Sequence, residues 1–190
     1  NQVVEMVGGM AVEVSRVARA AGEEGRLSER AKVEGVAGSW KNITDTLNFL
    51  IASMALPVTE IGRVVTAISR GDLSQKMGLR ASGDIKAMAD TINSMVDTLN
   101  SFASEVTRVA REVGSEGKLG GQAEVKGVAG TWKDLTDSVN GMASNLTSQV
   151  RNIAKVTTAI ANGDLGQQIT VDVKGEILEL KDTINRMVDQ

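Results

Sequence analysis

The sequence predicts an all-α fold: parallel homodimeric four-helix coiled-coil bundles, made of helix–connector–helix units stacked end to end as a rod. Three observations lead there. The first is an internal repeat of 92 residues with no insertion or deletion. Val36-Ala37-Gly38-Ser39-Trp40-Lys41 returns as Val128-Ala129-Gly130-Thr131-Trp132-Lys133, and Asp90-Thr91-Ile92-Asn93 as Asp182-Thr183-Ile184-Asn185. The second is a sustained 3-4 alternation of apolar residues. The third is a set of long, glycine-marked connectors with apolar residues of their own. A repeated array suits transmission or spacing better than a single catalytic centre, and an internal period governs the architecture.

A period of 46 residues lies inside the longer one. Gly25-Arg26-Leu27, Gly71-Asp72-Leu73, Gly117-Lys118-Leu119 and Gly163-Asp164-Leu165 open four connectors, and Gly38, Gly83, Gly130 and Gly175 close them. The two markers stand 13 residues apart in the first and third copies and 12 apart in the second and fourth. The chain therefore reads A-B-A-B. Trp40 and Trp132 mark the A units, where Ile85 and Ile177 stand in the B units. The expected units are 1–52 (A), 53–98 (B), 99–144 (A) and 145–190 (B).

The helices follow in order. A half-stripe of Val3, Val7, Met10, Val14, Val17 and Ala21 stops at Gly22. A full stripe runs Trp40, Ile43, Leu47, Leu50, Met54, Pro57, Ile61, Val64, Ile68. The next runs Ile85, Met88, Ile92, Met95, Leu99, Phe102, Val106, Val109, Val113, and the third Trp132, Leu135, Val139, Met142, Leu146, Gln149, Ile153, Val156, Ile160. A second half-stripe holds Ile177, Leu180, Ile184 and Met187. A 3.5-residue spacing kept up over four heptads argues for a seam between helices rather than one face on a globular core. Ser39 and Thr131 are placed to cap their helices, and Asp84 and Glu176 put a carboxylate at a positive helix end. Gly22, Gly71, Gly114 and Gly163 read as stops. Pro57 lacks an N–H and crowds the preceding turn, so a kink or local unwinding is expected there.

The connectors set the topology. An antiparallel helical hairpin needs roughly 2–8 residues, and these segments are longer. Each carries spaced apolar residues: Leu27, Ala31, Val33; Leu73, Met77, Leu79; Leu119, Ala123, Val125; Leu165, Ile169, Val171. An extended chain at about 3.3 Å per residue can run back along a helix of about 24 Å. Each unit is then helix, return strap, helix, with both helices parallel and the strap's Leu buried against them. Two helices enclose no core, so two chains are expected to complete a four-helix bundle.

Composition narrows the function. The chain has no His, Cys or Tyr, and its aromatics are two Trp and two Phe. The net charge of -3 is weak and no Lys/Arg run exists, which disfavours nucleic acid and anionic membrane as partners. The nearly apolar stretch from Leu47 to Val58 is short for a bilayer span and holds Asn48 and Ser53. No signal peptide is read at Asn1, and the missing Met start suggests an excised segment. Absence of Cys fits a cytoplasmic location. Nothing in the sequence forms an acid–base pair, a metal cluster or a nucleophile with its base, so no catalytic, cofactor-binding or metal-binding residue is expected. Asp45, Asp90, Asp137 and Asp182 recur in register and read as solvated polar sites.

On these residues the chain resembles four concatenated HAMP domains, the helix–connector–helix linkers of sensor kinases and chemoreceptors. The matching positions are the connector glycines (Gly25, Gly71, Gly117, Gly163), the first connector anchors (Leu27, Leu73, Leu119, Leu165), the second anchors (Ala31, Met77, Ala123, Ile169), Pro57, and the acidic helix starts Asp84 and Glu176. The segments Val128–Thr136 and Asn145–Arg151 are similar to the poly-HAMP region of group III hybrid histidine kinases, best known from fungal osmosensors. The A units depart from the pattern: Ser39 and Thr131 replace the acidic residue and a Trp follows. Ala31 and Ala123 are small anchors, so Val33 and Val125 are expected to share their role.

The resemblance implies a non-enzymatic, cytoplasmic relay without cofactor. An upstream stimulus, osmotic stress among the candidates, would change helix rotation or packing and so control a downstream histidine kinase in two-component signalling. The implied partners are a second copy of the chain and covalently attached input and output domains, with no membrane insertion. With no His, the chain cannot carry a kinase's phosphoacceptor. The alternatives are a passive coiled-coil spacer and the HAMP array of a soluble chemoreceptor. The A-B alternation suggests two unlike packings in turn.

Overall fold

The computed structural model describes residues 2–189, with side chains from Val4 onward, so Val3 of the first half-stripe lies outside the described side chains. The described residues form five helices and no strand: α1 (Gln2–Gly22), α2 (Ser39–Ser69), α3 (Gly83–Gly114), α4 (Thr131–Ala161) and α5 (Glu176–Val188). The heptad stripes predicted these spans to within one or two residues. Residues 1–96 and 97–190 make two compact units. Each contains two helix–connector–helix repeats.

Helix starts follow glycine rather than side-chain caps. Ser39 and Thr131 do not cap; they are the first residues of α2 and α4. The N-caps are Gly38 (φ 60°, ψ -135°) and Gly130 (φ 54°, ψ -138°), without a side-chain hydrogen bond. That backbone region is open to glycine and strained for any residue with a Cβ. Once the chain turns there, a hydroxyl one residue later is already inside the helix. The capping carbonyl still starts the ladder, accepting from the Asn42 N–H in α2 and the Asp134 N–H in α4. Asp84 and Glu176 lie in the first turns of α3 and α5 as expected.

Helix ends divide by repeat type. In the B repeats the N–H of Gly71 donates to Ile68 and that of Asp72 to Ala67, and Gly163 and Asp164 do the same to Ile160 and Ala159. These are Schellman endings with glycine at φ 78° and 81°. In the A repeats the exit is wider: Arg26 N–H reaches back to Ala20, and Lys118 N–H to Glu112. The extra connector residue of the A repeats is taken up farther on, in turns at Gly35 and Gly127, both at φ 74°. α2 runs through Pro57 without the unwinding expected there, and Pro57 is buried.

The strap topology is visible in the contacts. Along α1, Glu13 meets Lys32 and Arg16 meets Arg30, so helix numbers rise as connector numbers fall. Along α5, Lys181, Asn185 and Asp189 meet Val171, Ile169 and Gln168 in the same opposed sense. In the third repeat Phe102 packs edge-on against Trp132 at one end, while Arg151 reaches Leu119 beyond the far end of α3. Both helices therefore oppose the strap and run parallel to each other.

Among the described residues four small clusters form the core, one per repeat. They are Val17, Ala31 and Ile51; Val64, Met77, Ala89 and Val96; Val109, Ala123 and Ala143; Val156, Ile169 and Ile184. Each takes residues from a first helix, a connector and a second helix. Full burial of one such side chain stabilises by about 1.5–3 kcal/mol, so each cluster is modest.

Candidate functional site

The candidate site is the connector with the two helices that hold it, repeated four times. Its centre is the second anchor. Ala31, Met77, Ala123 and Ile169 are all buried, between 2 and 5 % exposed. The first anchors are less enclosed: Leu27, Leu73 and Leu119 are half-buried, and Leu165 is 53 % exposed. The expectation that each strap buries its first Leu against its own pair of helices is met in part by Leu27, which packs on the cluster of Val17, Ala31 and Ile51, and is corrected at Leu165, which is exposed within one chain. The small Ala31 and Ala123 are buried in their own right, with Val33 and Val125 half-buried beside them.

An asparagine on each second helix clamps the anchor's backbone. Asn48 Oδ1 accepts from the Ala31 N–H at 2.8 Å, and its Nδ2 donates to the Ala31 carbonyl at 2.9 Å. Asn93 grips Met77 at 2.8 and 3.1 Å, Asn140 grips Ala123 at 2.6 and 3.0 Å, and Asn185 grips Ile169 at 2.8 and 3.1 Å. An extended strap between two helices offers no partner strand, and a carboxamide carries the donor and acceptor that one peptide group pair needs. Sequence reasoning missed this role. The signal was present: each Asn follows the connector's closing glycine by 10 residues.

The first helix grips the neighbouring peptides, which point the other way. Arg16 donates to the Arg30 carbonyl at 3.3 Å while Glu13 accepts the Lys32 N–H at 3.1 Å. Arg108 donates to the Gln122 carbonyl at 2.6 Å while Glu105 accepts the Glu124 N–H at 2.9 Å. Arg63 donates to the Lys76 carbonyl at 2.7 Å, with Glu60 holding its guanidinium at 2.9 Å. Arg16 and the Lys32 amide pull the Glu13 carboxyl down to about 2, and Arg108 and the Glu124 amide do the same to Glu105. Arg63 lowers Glu60, with a smaller contribution from the Gly78 amide.

The remaining sequence-singled residues sit at the margins of this site. Gly25, Gly71, Gly117 and Gly163 all take positive φ where the strap leaves its helix. Trp40 and Trp132 are about two-fifths exposed rather than core fillers of their own chain. Asp45, Asp90 and Asp137 pair on the surface with Lys41, Lys86 and Lys133.

The seam itself is split. Leu47, Ile92, Val139 and Ile184 pack on their own clusters. Three residues on, Leu50, Met95, Met142 and Met187 are exposed, as are Trp40, Ile43, Met54, Met88, Trp132, Leu135, Leu146 and Leu180. Four of the nine stripe residues are thus exposed in α2 and in α4, two of nine in α3, two of four in α5 and none of those described in α1, so the unpartnered apolar edge lies on the second-helix side of each repeat. α2 is long and apolar enough by length and composition to cross a membrane, with mean hydropathy 1.4 in its most apolar window. Its Asn48 and Arg63 are nonetheless bonded to connectors on either side of Pro57, with Glu60 holding Arg63 in place.

Two HAMP domain models match, one over residues 35–101 and another over 141–190. The chain is a HAMP-containing region. The two matched stretches include the connectors that open at Gly71 and Gly163. No solved structure matches the chain. HAMP domains are regulatory relay modules of sensor kinases and chemoreceptors, typically dimeric and joined to input and output domains. No family model for a catalytic domain matches the chain.

Proposed function

We propose that this region is a series of four HAMP units, bounded near 52, 98 and 144, that relays an upstream stimulus as a dimer in the cytoplasm. The output would be a histidine kinase of the two-component type, as the likeness to group III hybrid kinases suggests. In this reading Gly25, Gly71, Gly117 and Gly163 free each strap from its helix. The connector anchors Leu27, Leu73, Leu119 and Leu165 close on a second chain, and Val33, Met77, Val125 and Ile169 hold the strap. Trp40, Trp132, Pro57, Asp84 and Glu176 shape the packing of adjoining units.

The observation that carries the reading is the split seam. Parallel helices strapped together by their own connector still leave Met95, Met142 and Met187 in water. A second copy in parallel would cover those positions by itself, each residue meeting its own counterpart about the symmetry axis. Relay then requires two packings of similar free energy, so that a modest input shifts their populations.

The native chain has no Cys, so introduced thiols give an unambiguous reading. Met95→Cys and Met187→Cys should each cross-link with its own copy under mild oxidation, and Asp90→Cys on the outer face should not. A chain that stays monomeric at high concentration, or that links Asp90→Cys as readily as Met95→Cys, would overturn the proposal.

A further inference from the structure

All four straps carry the asparagine clamp of their second helix, to which the fourth adds Lys181 on the Val171 carbonyl and Asp189 on the Gln168 side chain, both at 2.9 Å; around the anchor itself they differ on the side of the first helix. The Glu-x-x-Arg pairs Glu13/Arg16, Glu60/Arg63 and Glu105/Arg108 stand at equivalent places before the first three connectors. Each Arg bonds the carbonyl of the residue before the buried anchor. At the fourth connector the same positions hold Asn152 and Lys155. No hydrogen bond joins either side chain to Gln168 or Thr170, the residues flanking Ile169, and Asn152 Oδ1 is buried without a partner.

The chemistry explains the loss. Asn is one methylene shorter than Glu and carries no charge to orient a cation. Lys lacks the planar fork that lets one guanidinium hold a carboxylate and a carbonyl together. The third strap lies at the other extreme. Arg108 is held by both Glu105 and Glu112, and Arg151 adds a bond to the Leu119 carbonyl at 3.1 Å.

We propose that the Glu-x-x-Arg pair is a latch on the connector, and that the fourth strap is built without it so that it releases first. Release uncovers Ile169 and opens the cluster of Val156, Ile169 and Ile184, while the first three straps stay closed. The last repeat is then the one set to respond to small perturbations. The inference stands on contacts within a single chain, so it survives even if the dimeric relay reading fails.

The test is residue-resolved amide hydrogen exchange on the whole chain at neutral pH. The Thr170 amide should exchange about tenfold faster than those of Lys32 and Glu124, the equivalent of one hydrogen bond of about 1.4 kcal/mol. Asn152→Glu with Lys155→Arg should slow Thr170 toward the values of the other straps. The reverse exchange, Glu60→Asn with Arg63→Lys, should speed Lys76 through Gly78 and leave the third connector unchanged. If the first double variant does not fold, the reverse one decides. Equal protection of all four straps, or indifference of both connectors to these substitutions, overturns the proposal.

Discussion

Asn93→Ala removes one side chain and leaves two peptide groups of Met77 without partners. The deleted bonds measure 2.8 and 3.1 Å, and the site lies beside Met77, itself 5 % exposed. A hydrogen bond contributes about 0.5–1.5 kcal/mol net, and a buried group left unsatisfied costs about 1–3 kcal/mol. Water reaches a half-buried strap in part, so a total near 2 kcal/mol is expected. That corresponds to roughly a 30-fold rise in the population of the open connector. Two readouts apply. Exchange at the Met77 amide should accelerate by about that factor, and thermal unfolding should fall by roughly 4–8 °C, at 2–4 °C per kcal/mol for a chain of this size. Asn93→Asp separates geometry from mere volume. It keeps an acceptor for the Met77 N–H but faces the carbonyl with a charge and no donor, so it should be at least as damaging at neutral pH. If Asn93→Ala leaves Met77 exchange within about twofold of wild type, the clamp holds nothing and the reasoning is wrong.

The other predictions concern the anchors, the helix starts and acid. Ile169→Ala should destabilise by about 2–5 kcal/mol as a buried large-to-small change, whereas Leu165→Ala, exposed in the single chain, should cost under about 0.5 kcal/mol in any monomeric state; equal effects under monomeric conditions would refute the ranking of the two anchors. Gly130→Ala should cost about 1–3 kcal/mol from backbone strain alone, since an added Cβ there meets nothing within 4 Å; a neutral result in chemical denaturation would show that α4 can start another way. Glu13 and Glu105, ordinarily near 4.5, are held down to about 2. A depressed carboxylate stabilises fully above its unfolded value, and the contribution is lost as pH falls through the folded one. Protection of the Lys32 and Glu124 amides, corrected for intrinsic exchange, should therefore decline between about pH 4.5 and 2, while the Thr170 amide of the fourth strap, which no carboxylate accepts, shows no matching loss.

Much of this fold was legible because two signals reinforced each other. The stripe Ile85 to Val113 placed α3, found at Gly83–Gly114, and glycines bracketed it at both ends. Spacing of Leu165, Ile169 and Val171 marked the connector as packed rather than solvated. What the periodicity could not say is which half of a seam faces its own strap. Ile92 and Met95 are equivalent to a heptad pattern, yet one packs inward and the other is exposed. That choice depends on where the strap lies. The helix starts were misread for a related reason. Ser39 looks like a cap in sequence, but Gly38 can enter a backbone region closed to other residues, and the turn happens one residue earlier. The latches were hidden in plain composition: Glu13 and Arg16 read as an ordinary exposed i,i+3 pair until the Arg30 carbonyl comes within reach.

Clamp and seam lie on the same short stretch of each second helix, and this limits how the helix can move. Residues three apart on an α-helix point about 60° from each other, and adjacent ones about 100°. Ile92 faces the strap, Asn93 grips it from the next position, and Met95 looks outward. A side-chain tip about 6 Å from the helix axis moves about 2–3 Å for a rotation of 25°. That displacement exceeds the tolerance of hydrogen bonds of 2.8 and 3.1 Å. A second helix cannot therefore turn enough to re-aim Met95 while its Asn stays seated on an immobile strap. Either the connector travels with the helix or the clamp opens first. The two routes differ in what Asn93→Ala does to thiol pairing at Met95→Cys. If the strap travels with the helix, losing the clamp uncouples them and broadens the pairing. If the clamp must open, losing it removes a barrier and shifts the pairing toward the rotated arrangement.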